Sequence, residues 1–251
     1  VSPVAKSPNA LADADLKLQW AEQHIGKFEL EIRAFHDSYA YSAAEFIHPE
    51  TGARTVQVSN PPAIPPQFIF IACDAVHNMR TALDYLVCEL ALANSKTTSG
   101  VSFPITSNKV EFGGTDAQRR IRKLSSSAKT FIRSLRPYKG GNDLLWALHA
   151  IDRVDKHLYL RQFSHAPPMF YFTRRAIEDN ENAAGSSDSG VKYDYRVAVN
   201  PGFDEIDVFQ GETALTLLKK FLQCVDEILS EARRRFFPST QRVVVFPTPE
   251  L

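Results

Sequence analysis

Four long segments of this chain carry apolar residues at helical spacing, and that pattern limits the fold more than any other feature. In the first, Ala14, Leu18, Ala21, Ile25, Phe28, Ile32 and Phe35 recur at intervals of four and three, which predicts an amphipathic helix. The second runs from Gln67 to Ala93, with Ala72, Ala75, Val76, Met79, Leu83, Leu86 and Leu90 on its apolar side. The third covers 143–162 and follows the turn LRPYKGGND, where Asn142 or Asp143 is a suitable N-cap. The last covers 212–236, with Leu215, Leu218, Leu222, Val225, Leu229, Ala232 and Phe236 on one side. Between the second and third, DAQRRIRKL and AKTFIRSL read as helical. They form either one helix over 117–136 or two broken at Ser125–Ser127, because serine side chains compete for backbone hydrogen bonds.

The connections carry strand patterns. YAYSAAEFIH and RTVQVSN flank PETGA, which predicts a β-hairpin. MFYFTRRAI, VKYDYRVAV and FDEIDVF read as further strands, and PPAIPP (61–66) as a stiff extended linker. Residues 1–9 read as a flexible lead-in and EDNENAAGSSDSG (178–190) as a mobile loop. Strands and helices do not alternate as parallel sheets require. The expected fold is mainly α: one domain over 1–251, an antiparallel bundle of four to five helices with β-hairpin insertions.

Lys+Arg and Asp+Glu both number 29, and a net charge of zero argues against a dedicated non-specific nucleic-acid binder. Charge is local instead. From Arg119 to Lys139 there are eight Lys/Arg and no Asp/Glu, and on a single helix Arg119, Arg122, Lys129, Arg133 and Arg136 would share a face. Such a face is solvated or holds RNA, DNA or an acidic partner. The segment Arg233 to Phe237 joins three arginines to two aromatics and suits docking on another subunit.

The core helices also carry charge. On the wheel of 67–93, Cys73, His77, Arg80, Thr81, Asp84 and Cys88 form one stripe opposite the apolar one. It is either a solvated face with an Arg80–Asp84 ion pair at i,i+4 or a polar seam inside the bundle. On 143–162, Asp155 lies among Leu144, Leu148, Ile151 and Leu158, while His149, Asp152, Arg153 and Lys156 cluster on the other side. A buried Asp155 needs a partner, and His77 or Arg80 supplies one if the two helices are neighbours. His77, Arg80, Asp84, Arg153, Asp155 and His157 are therefore either a structural tie or a binding or catalytic centre. Histidine suits proton transfer there, and arginine suits phosphate or carboxylate.

AVHNMRTALDYLVCEL, FPI, LRPY and IDRVDKH follow one another in an order that resembles a family of uncharacterised bacterial proteins, over residues 40–165. HNMRTALDYL and DKH are the most specific pieces. More distantly, the chain resembles the HEPN helical-bundle superfamily, many of whose members are metal-independent ribonucleases. Their Arg–polar–…–His motif is matched by Arg153-Val154-Asp155-Lys156-His157, with valine at the polar position and a shorter spacing. The resemblance implies that His157 acts on the ribose hydroxyl or the leaving oxygen, that Arg153 steadies the phosphate, and that the site forms across a homodimer.

No cofactor loop and no metal motif is present: Gly-Gly at 113–114 and 140–141 is turn material, and no Glu-x-x-His pair falls on a predicted helix. Cys73, Cys88 and Cys224 form neither a disulfide framework nor a zinc motif. Reduced thiols suggest a cytoplasmic setting, and no apolar run has the length of a membrane span. The expected function is that of a partner- or ligand-binding module, or else a HEPN-like ribonuclease using Arg153 and His157.

Overall fold

The computed structural model describes residues 9–38, 42–47, 51, 54–59, 64–157, 164–165, 169–175, 192–198, 201–203, 207–209 and 211–245; side chains are described in 9–38, 51, 64–153, 203, 207–209 and 211–245. The lead-in before residue 9, residues 61–63 of the linker, 158–162 of the third segment, 178–190, and 204–206 of FDEIDVF lie outside the described residues.

The described residues are mainly α. The helices are α1 (Ala12–Ser38), α2 (Gln67–Ala93), α3 (Lys109–Gly113), α4 (Thr115–Arg120), α5 (Ser126–Ser134), α6 (Asp143–His157) and α7 (Ala214–Phe236). Two backbone segments, Ser42–Ile47 and Arg54–Ser59, run antiparallel with Ser42 opposite Ser59. Met169–Arg175 and Lys192–Ala198 do the same with Met169 opposite Ala198. The residues joining each pair are not all described.

The long helices form one packed unit. α1 lies along α2, α7 packs on both, and α6 packs on α2 and α7. Every α1 and α2 position expected on an apolar side is buried. Ala72, Ala75 and Ala82 have no exposed surface, so their small side chains let neighbouring helices approach α2 closely. Phe68 receives Phe28 and Phe35 edge-on, with ring centroids 5.9 and 5.7 Å away.

Between α2 and α6 the chain is punctuated by side-chain caps. Asn108 accepts from the Glu111 N–H at 2.9 Å to start α3. Ser125 accepts from the Ala128 N–H at 3.2 Å to start α5. This cap excludes a single helix over 117–136: the helical path stops at Arg120 and restarts at Ser126. The shared cationic face goes with it. Arg119 pairs with Asp116 at 3.0 Å, and Arg133 donates to the Gln118 side-chain Oε1 at 2.6 Å.

The turn into α6 is tight. Arg136 and Gly140 have positive φ, of 50° and 77°. The Asn142 N–H reaches back to the Arg136 carbonyl at 2.8 Å, and the Asn142 side chain caps α6 by accepting from Leu145 at 3.1 Å. A Cβ on Gly141 would sit 2.5 Å from the Arg136 carbonyl oxygen and 2.6 Å from the Tyr138 ring. Because the closest obstacle is backbone, Gly141→Ala is expected to cost about 1–3 kcal/mol, the usual range for overpacking. Urea unfolding measures it, and an unchanged midpoint would refute the tight-turn account.

Candidate functional site

Arg80 is a buried cation, 6% exposed, reaching from α2 to the segment 101–105. Its Nη1 lies 2.7 Å from Asp84 Oδ1, and its Nη2 donates to the Phe103 carbonyl at 2.9 Å. Asp84 Oδ1 in turn accepts the Phe103 N–H at 2.8 Å. The i,i+4 pair expected from the sequence forms, and its ends bracket both backbone polar groups of a residue whose ring is fully buried. The stripe is a half-buried seam: Cys73 and Arg80 are buried, while the side chains of His77 and Asp84 are 45% and 36% exposed.

One turn earlier, His77 Nδ1 meets Asp152 Oδ1 of α6 at 2.9 Å. The spacing sets Asp152 on the side of the helix away from the apolar residues, yet it is 4% exposed. The buried arc of α6 extends toward Leu145 and Asp152, because α6 is covered from two directions, by α2 and by α7. The side chains of Asp155 and His157 lie outside the described residues, so the expected Asp155 tie and the Arg153–His157 pair do too.

On the cleft side of this seam lies His149. Its Nδ1 is buried without a hydrogen-bond partner. Burial first, then the positive charges of Arg80, Arg153 and Arg120 against the opposing Asp152, lower its pKa to about 4. At neutral pH it is an uncharged imidazole facing guanidinium groups from three helices.

His149 lines a cleft of about 1090 Å³ between the α3–α4 segment and α6. Arg120, Lys139 and Arg153 line it as well, with Trp146 and Ala150 of α6 and the hydroxyls of Thr106, Ser107 and Thr115. Lys139 sits over the Trp146 ring, 4.5 Å from its centroid, and pairs with Asp207 at 2.7 Å. The cleft's carboxylates are engaged nearby: Asp116 with Arg119, and Glu111 with Asn108 at 3.0 Å and the Ser107 N–H at 3.2 Å. Arg120 and Arg153 have no ion-pair partner among the described residues.

Of the positions singled out in the sequence, Arg153 lines the cleft, His77, Arg80 and Asp84 lie in the seam, and Arg119, Arg122 and Arg133 do not line it. Arg120, Lys139, Trp146 and His149 were not recognised as one group. The available signal was the α6 spacing, since Trp146, His149 and Arg153 lie at i, i+3 and i+7 and so share a helix face.

Two of the three thiols are shifted away from nucleophile character: burial, then the charges of Asp84 and Glu89, pushes Cys88 up, and burial pushes Cys224 up. Among the described residues no group of three or more His, Cys, Asp or Glu is placed to hold a metal ion. No helix among them is long and apolar enough to cross a membrane. The chain matches no known protein family, curated protein or solved structure.

Proposed function

We propose that this chain is a ligand-binding helical bundle with hairpin insertions, whose cleft between the α3–α4 segment and α6 takes an anionic group. One observation carries this reading: Arg120 and Arg153, from different helices, line the cleft without a counter-ion among the described residues. Guanidinium groups hold phosphate or carboxylate through paired hydrogen bonds, and His149, neutral at pH 7, lines the same cleft. The His77–Asp152 and Arg80–Asp84–Phe103 ties support a preformed cleft, because they bind α2 to α6 and to the segment beside Thr106. The free cysteines are compatible with a reducing, cytoplasmic setting.

A second reading is supported by the position of Arg153. It lines the cleft where a phosphodiester would lie, and His157 follows one turn later on α6. On that reading the chain is a HEPN-like ribonuclease with Arg153 on the phosphate and His157 in proton transfer, and a homodimer completes the site.

One experiment separates the two. The purified chain is mixed with an RNA pool, with and without chelator, beside His157→Ala and the double variant Arg120→Ala/Arg153→Ala. Inorganic phosphate and citrate are titrated in parallel. Binding without cleavage, weakened at least about tenfold by the double variant, is the expected result, since each charged hydrogen bond contributes about 1.5–3 kcal/mol. Cleavage that survives chelator and vanishes in His157→Ala establishes the ribonuclease instead. A folded wild type that binds none of the three probes overturns the anion cleft.

A further inference from the structure

Two buried polar side chains on α1 serve neither the cleft nor the seam. Asp15 is 1% exposed and Gln19, one turn later, 6%. Asp15 Oδ1 takes Arg233 of α7 at 2.5 Å, and its Oδ2 accepts the Val243 N–H at 2.9 Å. Gln19 Oε1 accepts the Val245 N–H at 2.9 Å, and its Nε2 donates to the Val243 carbonyl. Residues 241–245 run past α1 without helix or turn.

These bonds have the logic of a β-ladder. In an extended segment the N–H and C=O of one residue and the N–H two residues later face the same edge. Two residues of strand advance about 6.6 Å. Four residues of helix rise about 6 Å. Asp15 and Gln19 thus match the repeat of a strand, and the Gln19 carboxamide stands in for a neighbouring peptide group. The segment's side chains are barely used: Val244 is 71% exposed and Val245 55%. Besides the backbone bonds, the segment is tied by an ion pair from Arg242 to Asp226 at 2.8 Å whose side chains are 41% and 37% exposed.

We propose that this edge of α1 is a binding site for an extended polypeptide backbone, read at alternate residues, and that 243–245 is its exchangeable resident ligand. Little apolar surface holds the resident, so it detaches at low cost. The receptor does not tolerate vacancy equally well, because the buried Asp15 Oδ2 then loses the Val243 N–H and the buried Gln19 carboxamide loses its bonds to Val243 and Val245. The partner that fits is a second extended segment of the same kind, the 241–245 stretch of another copy of this chain.

The test uses the full chain. Amide exchange is expected to show Val243 and Val245 protected at least tenfold more than Val244. In Val243→Pro/Val245→Pro both N–H donors are gone, and a fluorescein-labelled STQRVVVF peptide is expected to bind this variant at least tenfold more tightly than wild type. Val243→Ala/Val245→Ala keeps the backbone donors and is expected to behave as wild type. Equal protection at 243, 244 and 245 overturns the proposal. So does a folded proline variant with wild-type peptide affinity, or an alanine variant that behaves like the proline one. Should the proline variant not fold, the exchange pattern of the wild type decides.

Discussion

Arg80→Ala is expected to lower the unfolding free energy by about 3 kcal/mol, the lower end of the range for removing one partner of a buried ion pair. Arg80 is 6% exposed, and its loss leaves the Phe103 carbonyl with only the Ile105 N–H at 3.2 Å and strips Asp84 of its counter-charge. The lower end applies because the Asp84 side chain is 36% exposed and keeps some water. Arg80→Lys should recover part of the loss, since an ammonium carries the charge without the planar fork that spans Asp84 and Phe103. Urea titration followed by circular dichroism measures both. A loss below about 1 kcal/mol would mean that Arg80 does not hold the 101–105 segment onto α2.

His149 carries the second large effect, and its sign follows from the direction of its pKa. The folded state holds the ring neutral down to about pH 4, whereas the unfolded chain protonates it near the ordinary 6.5. The unfolded state therefore binds more protons between these two values. Above about pH 6.5 His149 makes no pH-dependent contribution. As pH falls from 6.5 to 4 it destabilises the fold increasingly, by on the order of 3 kcal/mol in total, and below about 4 the loss levels off. Denaturant midpoints at several pH values, wild type against His149→Gln, isolate this contribution, and identical slopes in the two proteins would rule it out. The same ring reports on the cleft. An anion lodged between Arg120 and Arg153 offsets the cations that hold His149 neutral, so phosphate should move its NMR titration upward.

The long helices were legible because burial of an amphipathic helix leaves a periodic trace. Leu18, Ile25 and Phe28 of α1 and Val76, Leu83 and Leu86 of α2 are buried as their spacing indicates. The Arg80–Asp84 pair was legible for the same local reason, since i and i+4 share a helix face. The carboxylate that His77 engages was not. Asp152 and Asp155 both lie on α6, and the apolar spacing of that segment points to Asp155, whereas the carboxylate that meets His77 is Asp152, because α6 is covered by both α2 and α7. Asp15 and Gln19 read as ordinary polar positions on α1, and only α7 and the segment after it enclose them.

Determined by sequence alone were the mainly α character, the four long amphipathic segments and the ion pair inside α2, all properties of residues within about one helical turn of each other. Tertiary structure decided the rest: which α6 carboxylate is buried against His77, which arginines line the cleft with His149, and which α1 side chains read the backbone of 243–245. The reason is the range of the interactions. Periodicity records which face of a helix leaves water, whereas a polar contact between distant segments depends on their rotation and register, which neither segment specifies on its own.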